Sequence, residues 1–293
     1  MLECGNAEVG ACAGTGSSEV TSSAPLLSAR LSVDYRNKPG VLRNIVVEIH
    51  RGEIVGLVGE SGSGKSTLAL ALLQLLQLKG AKVQGEVIFQ DEDLLHKSES
   101  QLRAMRGRQM SVVLQSPLTS LNPALRVGTQ LKEAWRAHVK GTKEECLSAI
   151  RTALNSVSLP DDDEFLRRRP SQLSVGQGQR VIIAMAILHR PALLIADEAT
   201  SALDTITQSE ILSLFARLNR DLDMAILYIS HDLLSVAALC HRVAILRDGE
   251  IVECDSPDVI FDAPRHPYTQ RLIAALPGAC FGKTLSRPLE ILS

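Results

Sequence analysis

The spacing of apolar residues changes character along the chain, and each change marks an element. From Leu27 to Tyr35 apolar and polar residues partly alternate, and Ile45 to Ile49 repeats the alternation before a turn at Arg51-Gly52. A period of two reads as strands with one covered face, which suggests a small strand-rich face. The next stretch, EIVGLV from Glu53 to Val58, is nearly all apolar and runs through a Gly-rich loop into the periodic TLALALLQLL. A continuous apolar strand that feeds a helix predicts a buried parallel sheet. Further strands are expected at 84–90, 109–115, 192–197, 224–230 and 242–249, with helical patterns between the last four. The fold class is therefore α/β.

One region breaks the alternation of strand and helix. Gly128 to Arg169 has helical spacing and helix formers such as TKEECLSAIRTALNSV, with no convincing strand. It predicts a helical subdomain, about 118–175, inserted between two halves of the α/β core. The core as a whole is expected over 26–255. Residues 1–25, rich in Gly, Ser and Ala, lack the charged start and apolar stretch of a signal peptide and read as a disordered tail. Residues 256–293 are Pro-punctuated and helical, an appendage more than a domain. No internal repeat is visible.

Composition narrows the function. A 293-residue chain with 45 % apolar residues can fill a large core. The net charge of −2 and only 3 % aromatics supply neither the basic field nor the stacking surface of a nucleic-acid binder, so no nucleic-acid partner is expected. The apolar run Leu68–Leu78 is broken by Gln74 and Gln77 and is about half the ~20 residues of a membrane span, so nothing is expected to cross a bilayer. The six cysteines include no C-x-x-C pair, and the histidines outside His231 show no paired spacing for a metal.

Chemistry enters at Gly59–Ser66, GESGSGKS, which fits G-x-x-x-x-G-K-[ST] between a buried strand and a helix. Gly59, Glu60, Ser61, Gly62, Ser63 and Gly64 form a loop whose backbone N–H groups converge on phosphate oxygens, aided by the positive end of the helix that follows. Lys65 is expected to bridge the β- and γ-phosphates, the Ser66 hydroxyl to ligand Mg²⁺, and Thr67 to add a phosphate contact. A magnesium–phosphate complex also needs a carboxylate, and hydrolysis needs a group that orients and deprotonates water. LLIADE supplies both: Asp197 at a strand end for the metal, and Glu198 beside it as general base. A second anion-binding helix start is predicted at QLSVGQGQR, residues 172–180, where a hydroxyl, a glycine and an amide precede VIIAMAIL.

GESGSGKS, LSVGQ, ADE, SALD and a His after an apolar strand occur here in the order found in ATP-binding-cassette ATPases, and the resemblance covers roughly Leu27 to Glu253. It implies a P-loop NTPase core with a small antiparallel β subdomain and an inserted α-helical subdomain, ATP and Mg²⁺ as ligands, and two subunits packed head to tail. In that arrangement LSVGQ of one subunit closes over the ATP held by the other, so that Ser174, Gly176 and Gln177 face the partner's γ-phosphate. The resemblance further implies that Gln115 contacts the metal and attacking water, that His231 hydrogen-bonds the γ-phosphate, that Asp204 addresses the opposite subunit and that Tyr35 stacks on adenine. Two residues depart from the family's pattern. Val175 stands where Gly is usual and restricts the backbone with a β-branched side chain, and Ala199 stands where Pro is common.

Members that act in nucleic-acid repair, chromosome organisation or translation usually carry a long coiled-coil or zinc insertion, two cassettes in one chain, or a basic linker, and none of these is visible here. SPLTSLNP (116–123) and HPYTQRLIAALP (266–277) look like the ATPase subunits of bacterial oligopeptide, dipeptide and nickel importers. That resemblance implies a second ATPase subunit, two transmembrane permease subunits and an extracytoplasmic solute-binding protein, with the chain peripheral on the cytoplasmic face of the inner membrane. With only Cys280 in the tail region, no iron–sulfur cluster is expected.

Overall fold

The computed structural model describes residues 24–276. Most of the tail expected over 1–25, and the end of the appendage from 277 with Cys280, lie outside the described residues.

Ten strands and eleven α-helices follow one another among the described residues. The order is β1 (Leu27–Tyr35), β2 (Lys38–Ile49), β3 (Ile54–Val58), α1 (Lys65–Leu72), β4 (Ala81–Phe89), β5 (Glu92–Asp93), α2 (Glu99–Met105), β6 (Met110–Val113) and α3 (Pro117–Ser120). Then come α4 (Val127–Arg136), α5 (Lys143–Ser156), α6 (Asp163–Arg167), α7 (Val175–Ile187), β7 (Leu193–Asp197), α8 (Thr205–Leu222) and β8 (Ala225–Ser230). The chain closes with α9 (Leu233–Leu239), β9 (Arg242–Arg247), β10 (Glu250–Asp255), α10 (Pro257–Asp262) and α11 (Pro267–Ala274).

The strands form two sheets. A four-stranded antiparallel sheet runs β2-β1-β4-β5, and a six-stranded sheet runs β10-β9-β3-β8-β7-β6. In the second, β9, β3, β8, β7 and β6 are parallel and β10 adds an antiparallel edge. Two strands escape the sequence pattern, β5 and β10, and β2 begins seven residues before the alternation at Ile45 that announces it. From Pro117 to Ser174 the regular elements are all helical.

The parallel strands are buried on both faces, and successive residues feed different cores. Ile54, Val58, Leu194, Ala196, Ile226, Tyr228, Val243 and Ile245 join a cluster with Val127, Leu131, Trp135, Ile150, Leu154 and Phe165 of the helical segment. Val55, Leu57, Leu193, Ile195, Leu227, Ile229, Ala244 and Leu246 join the other, with α1 and the antiparallel sheet. This is why the strands read as continuous apolar runs: period two still sorts the side chains, but both faces are covered. Each fully buried Leu, Ile or Phe contributes about 1.5–3 kcal/mol of transfer free energy.

Helix starts are set by side chains. Thr142 opens α5 with a capping box to Glu145, Asp162 caps α6, Asp204 caps α8 and Ser256 caps α10. The loops at the carboxyl ends of the parallel strands carry the residues of interest, as expected for an open α/β sheet.

Candidate functional site

The loop between β3 and α1 is shaped by Gly64, which precedes the helix at φ 112°, a conformation that excludes L side chains. The loop borders a cavity of about 550 Å³ lined by Tyr35, Lys38, Val41, Ser61, Gly62, Gly64, Lys65, Ser66, Thr67, Gln115, Asp197 and Glu198. Gly59 and Ser63 are buried in the layer beneath this wall, while Glu60 is exposed and off it. Most of the residues singled out from the phosphate-loop motif and from LLIADE thus share one concave surface.

Lys65 is only 5 % exposed. Its Nζ donates to the carbonyl oxygens of Gly59 at 2.7 Å and Glu60 at 2.9 Å, so one of its three N–H groups is left to point elsewhere. Burial lowers its ammonium below the usual lysine range, while the carboxylates of Glu198 and Asp197 act to keep the proton on. Asp197 ends β7 and is 9 % exposed, and its Oδ1 is buried without a hydrogen-bond partner. Burial raises its carboxyl above the ordinary range; the hydrogen bond from Ser66 opposes that rise, Glu198 adds to it and Lys65 opposes it. A buried carboxylate with an unpaired oxygen, next to a serine hydroxyl, is a donor set that suits a hard divalent cation. Among the described residues no group of three or more His, Cys, Asp and Glu side chains gathers to hold a metal, so a cation here would rest on Asp197, Ser66 and the groups of its own ligand.

Glu198 has φ 49°, a strained conformation for a non-glycine residue. Its amide N–H donates to the Ile229 carbonyl at 2.9 Å, tying the turn after β7 to β8. Gln115 Nε2 donates to Glu198 Oε2 at 3.0 Å, and His231 Nδ1 stands 3.7 Å from Glu198 Oε1. The three side chains come from the ends of three neighbouring strands, β6, β7 and β8. His231 is 62 % exposed and not on the cavity wall, so it reaches the carboxylate from the open side.

Beneath this trio lies a buried hydroxyl network that the sequence pattern does not announce. Tyr228 OH meets Thr200 Oγ1 at 2.9 Å and donates to Ser235 Oγ at 3.3 Å; Ser230 Oγ accepts from the Asp232 amide at 3.0 Å. It connects the turn after Glu198 with the turn that carries His231. Gln208 of α8 adds a further tie, Nε2 to Asp232 Oδ2 at 2.8 Å.

A second cavity of about 360 Å³ lies at the start of α7, lined by Ser174, Val175, Gly176, Gln177, Arg180, Ala202, Leu203, Asp204, Thr207 and Glu210. Ser174 caps α7: its Oγ accepts from the Gln177 amide at 3.1 Å, and Gln177 Oε1 accepts from the Ser174 amide at 3.1 Å. The Ser174 hydroxyl proton remains available for an outside acceptor. Asp204 caps α8 and accepts from the Thr207 amide at 3.0 Å and hydroxyl at 2.8 Å; these hydrogen bonds hold its carboxyl below the usual range. A Cβ on Gly176 would come within 2.8 Å of Thr207 Cγ2, so this position has to stay small. Val175 is 41 % exposed on the wall. The two cavities share no lining residue.

The sequence profile described as "ABC transporter" matches residues 42–201, more than half of the chain. The chain belongs to the ABC transporter family. A glutathione import ATP-binding protein, GsiA, of Salmonella choleraesuis (strain SC-B67) is 43 % identical to it over 260 residues, covering 86 % of this chain and 42 % of the relative. The cassette therefore spans about two fifths of the length of the curated relatives it matches. Among solved structures, cbiO1 from Clostridium perfringens, part of the ABC transporter complex cbiONQ, aligns with a TM-score of 0.71 at 25 % identity, over 82 % of this chain and 91 % of that one. The dimeric ATP-binding cassette MJ0796 bound to ADP and Pi aligns at 0.67 and 27 % identity, over 79 % and 98 %. These neighbours share the α/β architecture expected from the apolar pattern.

Lys38 and Val41 on the first cavity, and Arg180, Thr207 and Glu210 on the second, join the cassette's two sites without a motif of their own. Arg180 NH2 pairs with Glu210 at 2.9 Å. Arg180 closes the stretch QLSVGQGQR, and its i, i+3 relation to Gln177 puts it on the same face of α7.

Proposed function

We propose that this chain is the ATP-hydrolysing subunit of a bacterial importer of peptides or a related small solute, and that it works as one of a pair of cassettes. The observation that carries the reading is that one chain holds two separate cavities with different halves of the motif set on their walls. The first cavity combines the phosphate loop with Gln115, Asp197 and Glu198, and the second combines Ser174–Gln177 with Asp204. Head-to-tail pairing would bring the first half of each subunit against the second half of its mate; that the MJ0796 cassette is dimeric supports pairing as such.

In this reading Tyr35, at the cavity's edge, stacks on adenine, and the N–H groups of Gly62 to Ser66 receive the phosphates with the unspent N–H of Lys65. Ser66, Asp197 and the amide oxygen of Gln115 would hold Mg²⁺, which when bound would supply positive charge to offset that of the phosphates. Glu198 takes the proton of the attacking water as the bond from the γ-phosphorus to the bridging oxygen breaks. His231 and Gln115 fix the carboxylate's orientation, and His231 donates toward the γ-phosphate. From the mate, Ser174 and the Gly176 N–H close the remaining side of that phosphate, and Asp204 meets the opposite subunit. Val175 narrows the approach from its exposed position, so pairing with a subunit that carries Gly there gives two sites of unequal rate. Residues 26–255 act as the ATPase domain, with 118–175 as its helical subdomain, and 256–293 as the appendage of the peptide-importer type.

Among the described residues no helix is long and apolar enough to cross a membrane; as an importer's ATPase subunit the chain would lie peripherally, on the cytoplasmic face, against two permease subunits. An extracytoplasmic solute-binding protein supplies the cargo. The segments 116–123 and 266–277, together with the glutathione-importing relative, support the peptide class. Uptake of labelled glutathione, dipeptide, oligopeptide and nickel by cells lacking this chain tests it: loss of one uptake, restored by the intact gene, is expected. Normal uptake of all four, with ATP turnover stimulated by nucleic acid, overturns it in favour of a repair or translation role.

The hydroxyl network gives a sharper expectation. Tyr228→Phe keeps the buried ring and loses the oxygen that joins Thr200 to Ser235. It is expected to slow ATP turnover about five- to tenfold, the worth of roughly 1 kcal/mol, with ATP affinity within about twofold of the original. An equal loss of affinity and turnover would argue that the network supports the fold and not the alignment of Glu198 with His231.

A further inference from the structure

The last carbonyl groups of a helix have no partner within it, and at the end of α5 two arginines from neighbouring helices supply one. Arg180 of α7 donates from NH1 to the Val157 carbonyl at 2.9 Å. Arg217 of α8 donates from NH2 to the Ser156 carbonyl at 2.8 Å and to the Ser158 hydroxyl at 3.1 Å. The two arginines differ in what else they touch. Arg217 is not on the wall of the second cavity, whereas Arg180 is, and its NH2 donates to Glu210 of α8 on the same wall at 2.9 Å. The Arg180 side chain is 15 % exposed, so a planar fork with acceptors on two sides is held in one orientation.

A second contact between the same two helices lies one turn nearer the tip of α7. Gly176 packs so closely on Thr207 that a Cβ would come within 2.8 Å of its methyl carbon. Gly176 precedes Arg180 by one helical turn and Thr207 precedes Glu210 by another, so the helices are joined by two successive rungs. The rung at Gly176 sets how near the helices approach. The ion pair behind it sets their tilt. At the open end of these rungs stand Ser174, the Gly176 amide and Asp204, which caps α8.

We propose that Arg180 is a positioning residue for hydrolysis of the nucleotide held by the mate. By bridging Val157 and Glu210 it fixes the tilt of α7 against α8, and with it the place of Ser174 and the Gly176 amide beside Asp204. This role presupposes that the second cavity is the half-site offered to the partner's γ-phosphate. Its effect falls on turnover and pairing and not on the chain's own ATP affinity, because the two cavities share no lining residue.

The test combines steady-state ATP hydrolysis, titration with a fluorescent ATP analogue and magnesium, and thermal melting of the full chain. Arg180→Ala is expected to lower kcat about tenfold, with the Kd within about twofold of the original. Arg180→Lys keeps the charge but offers a single nitrogen in place of the fork, and is expected to recover kcat to within about threefold of the original. Arg217→Ala removes a comparable grip on α5 from a residue off the cavity, and is expected to lower the melting temperature at least as far while leaving kcat unchanged. A normal kcat for Arg180→Ala overturns the proposal, and so does an equal fall in kcat for Arg217→Ala. Pairing gives a second readout: ATP should assemble Glu198→Gln into a species of doubled mass, and adding Arg180→Ala should remove most of it. If Glu198→Gln alone does not pair, the head-to-tail reading itself falls. If it pairs and the double variant pairs equally well, only the role of Arg180 falls.

Discussion

Glu198→Gln should bind ATP within about twofold of the original affinity and hydrolyse it at least about 100-fold more slowly. The amide has the shape of the carboxylate, so the contacts with Gln115 at 3.0 Å and His231 at 3.7 Å have a partner of the same reach. What it lacks is the ability to take a proton from water, and general-base catalysis contributes about 10²- to 10⁴-fold. The φ of 49° at this residue is held by the bond from its amide to Ile229, which the substitution leaves alone. With ATP bound and not consumed, the paired state should persist, and size-exclusion chromatography in ATP and magnesium should show a species of doubled mass. Hydrolysis at the original rate would remove Glu198 from the role of base.

Lys65→Ala should cost about 100-fold or more in ATP affinity. The side chain is 5 % exposed and supplies a charged donor where the phosphates are expected, and its Nζ satisfies the carbonyls of Gly59 and Glu60. Losing a charge-assisted hydrogen bond costs about 1.5–3 kcal/mol, and leaving two carbonyls without their donor adds to it. The expectation is thus about 3 kcal/mol, a little over two orders of magnitude. Isothermal titration with ATP reads it directly, and binding at the original strength would undermine the phosphate-loop assignment.

The first cavity was largely legible because its chemistry is written in contiguous motifs. GESGSGKS needs its glycines and lysine at fixed spacing, and Asp197-Glu198 close an apolar strand that has no other use for two acids. Lys38 and Val41 escaped because they sit where β2 pairs irregularly with β1, with register shifts on both sides of Val33, and the strand period is lost there. β10 escaped for a different reason: EIVECD is an antiparallel edge strand, acidic at both ends and only partly covered, so it lacks the apolar run that marked its parallel neighbours. Tyr228 reads in sequence as one more core residue of a buried strand. Its partner Thr200 lies in the turn after β7 and Ser235 in α9, and a bond between residues 28 positions apart has no signature in local spacing.

The double-sided burial of the parallel strands makes the central sheet a partition. Motion of the helical side disturbs the packing on its own face, and the apolar layer beneath the phosphate loop stays as it was. Traffic between the two compartments is confined to the rim, where the strand ends present Gln115, Glu198 and His231. Under the proposed function, a push delivered by a membrane partner would reach the nucleotide through that rim.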